Sequence, residues 1–276
     1  MSMRERWLVL GVVLASACGE EKPAVPIEEM ISAPPVIEIV GTDYAYTAPD
    51  TMPAGPVVIR FRAEGQELHH VTLVRLNEGK TLDDLVSAVA GGQMPPGIPI
   101  GGPNAPAPGG VSEATVSLAP GNYALVCFIP SPDGTLHLAK GMMKSITVAG
   151  SPAMADMPRG DVTLRLSDYA FELSSPLTAG HHVIQVEVSP GQPHEVLLVR
   201  LEPGKTGLEV AEWAEKPIGP PPGIPMGGIS ALGAGETNLL PVDLEPGNYA
   251  FICFLPDAGD GKPHFLHGMV KEFTVS

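Results

Sequence analysis

The sequence predicts an all-β protein made of two copies of one domain, and three observations lead to this prediction. The chain contains 31 Pro and 32 Gly but only 17% charged residues, a composition that favours short strands joined by turns over long helices. The sequence repeats itself at a period of about 125 residues, which is the length of a domain and not of a solenoid repeat. With 276 residues, the chain is long enough to bury two ordinary cores.

Four pairs of segments carry the repeat. They are LHHVTLVRL at 68–76 with PHEVLLVRL at 193–201, PPGIPIGG at 95–102 with PPGIPMGG at 221–228, PGNYALVCFIP at 120–130 with PGNYAFICFLP at 246–256, and the closing segments KGMMKSITV and HGMVKEFTV. The two halves are therefore homologous. We expect domains at residues 36–149 and 161–276, with a linker at 150–160.

Hydrophobic alternation predicts the strands, and a single-turn apolar rhythm predicts one short helix in each half. The strand candidates of the first half are 36–40, 57–63, 70–76, 115–118, 122–128 and 144–148. The helices are expected at 81–90 and 208–215. The Pro/Gly segments at 91–110 and 217–235 lack the motif of a phosphate-binding loop, and we expect them to be rigid covers over one end of the sandwich.

The N-terminus indicates export. Arg4 and Arg6 precede the short apolar run 7–15, and this order predicts a signal peptide over residues 1–17. The run that ends at Cys18 resembles a bacterial lipoprotein signal, which implies cleavage before Cys18 and lipidation of its thiol. Residues 18–35 lack apolar periodicity and are expected to be a flexible tether. We therefore expect a membrane-anchored lipoprotein that faces the periplasm or the cell surface.

The formal net charge of -15 limits the possible partners. No run of Lys and Arg occurs in the sequence, so a polyanion such as nucleic acid would be repelled. A basic protein would be attracted instead. The membrane is expected to be contacted through the lipid anchor only.

The two remaining cysteines raise the question of function. Cys127 and Cys253 fall one in each half, so neither domain can form an internal disulfide. In an oxidising compartment, a cysteine without a partner in its own domain is generally buried and inert, bridged to another domain, or bound to a metal. The cysteines alone do not decide among these three states.

Each half carries the same ordered set of metal-binding residue types. The sets are His69, Cys127, His137, Met142 in the first half and His194, Cys253, His264, Met269 in the second. Two imidazoles and a thiolate in a plane, with a weak thioether above it, form the arrangement that holds type 1 copper. The sequence therefore predicts one copper ion in each domain.

The segments C-x9-H-x4-M at 127–142 and C-x10-H-x4-M at 253–269 resemble the ligand loops of cupredoxins, the superfamily of plastocyanin and azurin. This resemblance covers both domains and implies two tandem Greek-key β-sandwiches, each with one short inserted helix. It also implies electron transfer to and from a redox protein such as a cytochrome. Cupredoxins often place Asn after the first His, where this chain has His70 and Glu195. A copper-scavenging protein, or a metal-free envelope interaction module, therefore stays open as an alternative.

The remaining histidines have no counterpart in the other half and are predicted to be surface residues. They are His70, His181, His182 and His267, of which His267 could also be a rim ligand for a second ion.

The neighbours of the two cysteines argue against an enzyme. Multicopper oxidases and copper nitrite reductases place a His beside the type 1 Cys, whereas Cys127 has Val126 and Phe128 as neighbours. Ile252 and Phe254 take these places in the second half, and no His-x-His pair occurs in the sequence. We expect a protein without catalytic activity.

Lipidation is testable by labelling. With a labelled fatty acid in a bacterial host, we expect the wild-type protein to be marked and the Cys18→Ser variant to stay unmarked, because the thiol is the acceptor. Equal labelling of both proteins would contradict the prediction.

Overall fold

The structure is a computed structural model that describes residues 33–151 and 157–276. Cys18 and the predicted signal peptide lie outside the described residues. The stretch from Ala33 to Ser276 forms one compact unit. Because nothing divides this unit further, the predicted domain boundaries stay predictions.

The described chain is all-β with one short α-helix in each half. The first half contains β1 (Val36–Thr42), β2 (Ala45–Thr47), β3 (Thr51–Pro53), β4 (Gly55–Ala63), β5 (Thr72–Leu76), α1 (Leu82–Ala90), β6 (Gly97–Gly101), β7 (Val111–Leu118), β8 (Gly121–Val126) and β9 (Met143–Ala149). The second half contains β10 (Val162–Ser167), β11 (Ala170–Leu173), β12 (Gly180–Val188), β13 (His194–Leu201), α2 (Gly207–Glu215), β14 (Gly223–Leu232), β15 (Thr237–Leu244), β16 (Gly247–Ile252), a 3₁₀ turn (His264–His267) and β17 (Val270–Val275). The predicted fold class is confirmed.

The strands alternate as the sequence predicts. In β4, Val57, Ile59 and Phe61 are buried, whereas Arg60 and Arg62 lie towards solvent. This period of two places one face of the strand in the core. Both helices begin with a capping box, in which Thr81 and Thr206 exchange hydrogen bonds with the third helical residue.

Two sheets run through both halves. One has the order β11-β10-β12-β15-β7-β4-β1-β2 and the other β17-β16-β13-β14-β6-β5-β8-β9-β3. Their buried apolar side chains form one large cluster that contains residues of both halves. The two halves are therefore joined through the edges of their sheets and share one core.

The expectation that the Pro/Gly segments are covers over the sandwich end was wrong. These segments contain β6 and β14, which pair with β5 and β13 and meet each other where Leu232 lies opposite Ile100. Isolated bridges continue the pairing from Pro103 to Ile229 and from Pro106 to Met226. The segments form a sheet edge in each half, where backbone N–H and C=O groups would otherwise be unpaired. The two edges pair with each other. We call the segments 97–106 and 223–232 the seam.

Candidate metal centres

Three predicted ligands of the first half converge in the interior. His69 Nδ1 lies 3.0 Å from His137 Nδ1, and Cys127 Sγ lies 3.5 Å from the same His137 nitrogen. All three side chains are fully buried. Their ligand atoms lie within 4.8 Å of one another, so they can hold one metal ion.

The second half repeats this geometry closely. His194 Nδ1 lies 3.1 Å from His264 Nδ1, and Cys253 Sγ lies 3.4 Å from His264 Nδ1. These three residues are also fully buried. We call the first cluster site 1 and the second cluster site 2.

The loop after β8 brings Cys127, His137 and Met142 together. The Met142 N–H donates to the His137 carbonyl at 2.8 Å, and the Cys127 N–H donates to the Met142 carbonyl at 3.2 Å. The loop after β16 makes the same two bonds among Cys253, His264 and Met269, at 3.0 and 3.2 Å. Both methionines are fully buried. The structure thus places the backbone of each predicted axial ligand at its site, and ligation by the Met sulfur stays a prediction.

A carboxylate fixes the first His of each site. His69 Nε2 lies 2.9 Å from Asp43 Oδ1, and His194 Nε2 lies 3.0 Å from Asp168 Oδ1. A carboxylate that accepts the Nε2 proton leaves the Nδ1 lone pair free for a metal. Neither aspartate was predicted from the sequence. The repeat of Asp-Tyr-Ala at 43–45 and 168–170 is the signal that could have found them.

The second His has different surroundings in the two sites. His137 Nε2 lies 2.8 Å from Glu67 Oε2, whereas His264 Nε2 has no hydrogen-bond partner in the described part of the chain and lies 4.0 Å from Asp257 Oδ2. Burial lowers the pKa of His137, and its hydrogen bond with Glu67 opposes that change. Burial lowers the pKa of His264 to about 4. Both imidazoles are therefore neutral near pH 7, as metal ligation requires.

The prediction that His70 lies at the surface was wrong. His70 is buried, and its Nε2 accepts the Phe128 N–H at 3.0 Å. The matching residue Glu195 is also buried, and its Oε1 accepts the Phe254 N–H at 3.0 Å. Both residues therefore tie the segment that carries the first His to the loop that carries the Cys.

The pKa values of this pair of residues follow from burial. Burial lowers the pKa of His70 to about 3, which keeps the ring neutral and able to accept a hydrogen bond. Burial raises the pKa of Glu195 to about 7. The group that accepts the N–H after the Cys is thus an imidazole in the first half and a carboxyl group in the second.

The other histidines do not belong to either His/Cys/His cluster. His181 is exposed beside Asp243, and the partly buried His182 lies 2.6 Å from Asp161 Oδ2. His267 Nε2 lies 3.2 Å from Asp260 Oδ1, and with Asp257 these residues form a third cluster of potential ligands. Backbone N–H groups of the same loop already occupy oxygens of both aspartates.

Burial also decides the chemistry of the thiols. It raises the pKa of Cys127 to about 11 and raises the pKa of Cys253 as well. Both cysteines are free, so the bridge between domains that the sequence left open is not formed. A buried protonated thiol is a poor nucleophile, whereas a bound cation stabilises the thiolate.

The donor set fits copper. Thiolate and thioether sulfur suit Cu(I), imidazole suits both oxidation states, and two His with one Cys and a weak axial Met make the trigonal copper site. One such set lies in each half, which fits one copper ion per half.

No helix among the described residues is long and apolar enough to cross a membrane.

We expect the Glu67→Gln substitution to weaken copper binding at site 1 by about 10–100-fold, the usual effect of losing the group that orients a ligating His. The affinity is measured by competition with a chelator in the Cys253→Ser background, where only site 1 keeps its thiolate. The matched control is Glu64→Gln, because Glu64 is exposed and pairs with Arg62. An affinity within about twofold of this control would contradict the prediction.

No protein-family model and no curated protein matches the sequence. Among solved structures, an auracyanin from the photosynthetic bacterium Roseiflexus castenholzii is 22% identical, and the match covers 43% of this chain and 99% of that chain with a TM-score of 0.32. A multicopper oxidase is 12% identical over 87% of this chain and 88% of that chain, with a TM-score of 0.25. A copper-containing nitrite reductase from Thermus scotoductus is 11% identical over 88% of this chain and 62% of that chain, with a TM-score of 0.25. Both halves of the described chain contribute strands to the same two sheets, and each half holds one His/Cys/His cluster.

Proposed function

We propose that the protein is an exported, lipid-anchored electron carrier with one type 1 copper site in each half. The observation that carries the proposal is the pair of buried His/Cys/His clusters with nearly equal ligand distances. The two halves have drifted at many other positions, and both keep this arrangement. Copper, when bound, supplies a one-electron change between Cu(I) and Cu(II).

The residues around site 1 hold it closed and rigid, and site 2 shares the burial and the carboxylate on its first His. His69, Cys127 and His137 are fully buried, and a carboxylate orients each imidazole from outside. Packed ligands with locked hydrogen bonds keep one geometry in both oxidation states, which suits rapid electron exchange. With the Met as fourth ligand, such a site would leave no open coordination position for a substrate, and catalysis at a metal requires one.

The charge of the protein favours a basic partner. A formal net charge of -15 would attract a basic redox protein, such as a cytochrome, and speed its encounter. Lipidation at Cys18 would hold this encounter at the membrane surface of the periplasm or the cell exterior.

Colour tests the copper sites. We expect the full-length protein with Cu(II) to show intense copper–thiolate absorbance, which Cys127→Ser and Cys253→Ser each reduce by about half and the double variant abolishes. His181→Ala is the matched control, because His181 is exposed and remote from both clusters. A colourless wild-type protein would leave the scavenging and metal-free alternatives.

Turnover assays test the absence of catalysis. We expect copper-loaded protein to consume oxygen with a phenolic donor, and to reduce nitrite with a reduced dye, no faster than free copper does. The reason is that Val126 and Phe128, not His, flank Cys127. Turnover that His181→Ala or His182→Ala abolishes would reveal an enzyme.

A further inference from the structure

The seam joins each half to the ligand segment of the other half. Asn104 and Ser230 occupy matching positions after the repeated Gly-Gly pair. Ser230 Oγ donates to the Val71 carbonyl at 2.8 Å, and Asn104 Nδ2 donates to the Val196 carbonyl at 3.3 Å. Val71 and Val196 each lie two residues after the first His of their site. The seam therefore contacts both sites from the opposite half.

At two positions the backbone of the seam lies so close to the ligand segment of the opposite half that a β-carbon would not fit. A β-carbon at Gly228 would lie 2.0 Å from the Val196 carbonyl oxygen, and one at the matching Gly102 would lie 2.5 Å from the Val71 carbonyl oxygen. Both glycines have positive φ values, 140° and 131°. Only glycine permits this approach without strain.

Asn104 makes a contact that Ser230 does not. Its Nδ2 also donates to Glu195 Oε2 at 3.2 Å, and Pro103, which precedes Asn104, accepts the N–H of Val71, the residue after His70, at 2.9 Å. Asn104 is 3% exposed, and its backbone N–H donates to the Gly228 carbonyl at 2.9 Å. Asn104 thus belongs to the first half and is held in place by hydrogen bonds to the second half.

A buried chain of contacts results. The Phe128 N–H beside Cys127 donates to His70, and the N–H of the next residue, Val71, donates to the Pro103 carbonyl. Asn104 follows Pro103 and donates to Glu195, which accepts the Phe254 N–H beside Cys253. Polar contacts in a dry interior are stronger than in water and polarise one another. A displacement of one Cys loop therefore has a direct route to the other.

We propose that Asn104 is a positioning residue that couples the two sites, so that filling one ligand set changes the metal affinity of the other. This proposal rests on the proposed function for its metal measurement. Ordering of the Cys127 loop fixes the Phe128 N–H, and the contact chain transmits this order to Glu195 and the Phe254 N–H. The coupling is reciprocal, because linkage between two binding sites acts equally in both directions.

Stepwise binding of Cu(I) to the full-length protein, measured by chelator competition, tests the coupling. We expect the two stepwise affinities of the wild type to depart from the ratio for independent sites by about fivefold or more, within the usual range for coupled sites. Asn104→Ser should bring the ratio within about twofold of independence. This variant imitates Ser230, so the seam can accept the residue. Ser230→Ala is the matched control and should keep the wild-type ratio.

Amide exchange of the metal-free protein gives a second measurement. His70→Ala removes the acceptor of the Phe128 N–H, and we expect exchange to accelerate at Phe128 and also at Phe254. In the Asn104→Ser background, His70→Ala should affect Phe128 alone. This measurement needs no metal, so it decides the coupling even where the copper proposal fails.

The outcomes separate the two proposals. Two coppers that bind independently to the wild type would overturn the coupling and leave the electron carrier in place. An equal loss of coupling in Ser230→Ala would overturn the specific role of Asn104. Absence of copper binding would overturn the electron carrier, and a Phe254 amide that stays protected in His70→Ala would then overturn the coupling too.

Discussion

The structure depends on two pairs of histidines whose Nδ1 atoms face each other in the dry interior, 3.0 Å apart in site 1 and 3.1 Å apart in site 2. Two charged imidazoles at this distance would repel strongly in a low dielectric, so the two rings of a pair cannot both be charged. A metal ion held by both Nδ1 atoms would leave the ring protons on Nε2, and these donors need partners. Asp43 and Asp168 meet this need for the first His of each pair. Each of these aspartates lies in the tight turn between the first two strands of its half. The Tyr that follows each aspartate adopts a φ of 67°.

The two sites show which surroundings can change. The N–H beside each Cys needs an acceptor, and a neutral imidazole at position 70 and a carboxylate at position 195 both supply one. The partner of the second His has also changed, from Glu67 close to His137 to Asp257 at 4.0 Å from His264. The Nδ1 geometry is preserved through both changes. The inner ligand set is therefore constrained more tightly than the groups that support it.

The sequence predicts the parts of the fold that local patterns determine. Alternation in β4, the Thr81 capping box and the order of the ligand types are visible without long-range information. The burial of His70 could not be predicted in this way, because it lies next to the buried His69 in an irregular segment, where the period of two does not hold. The pairing of β6 with β14 was also out of reach, since the register between strands from opposite halves depends on how the halves meet and not on either segment alone. His70 and Glu195 look unrelated in sequence, yet the structure gives both residues the same task, which is to accept the N–H that follows a cluster Cys.

Part of the negative charge of the protein lies directly beside the two His/Cys/His clusters. Asp43, Glu67 and Asp168 lie against the ligand histidines, and their side chains are 34%, 26% and 50% exposed. They therefore face water on one side and an imidazole on the other. A basic group that docked on Asp168 would compete with His194 for the same carboxylate and so alter the electron density on its Nδ1. Recognition of a basic partner and tuning of the metal site would then act through one side chain, because the carboxylates that orient the buried histidines are also the negative charges that the protein presents beside its sites.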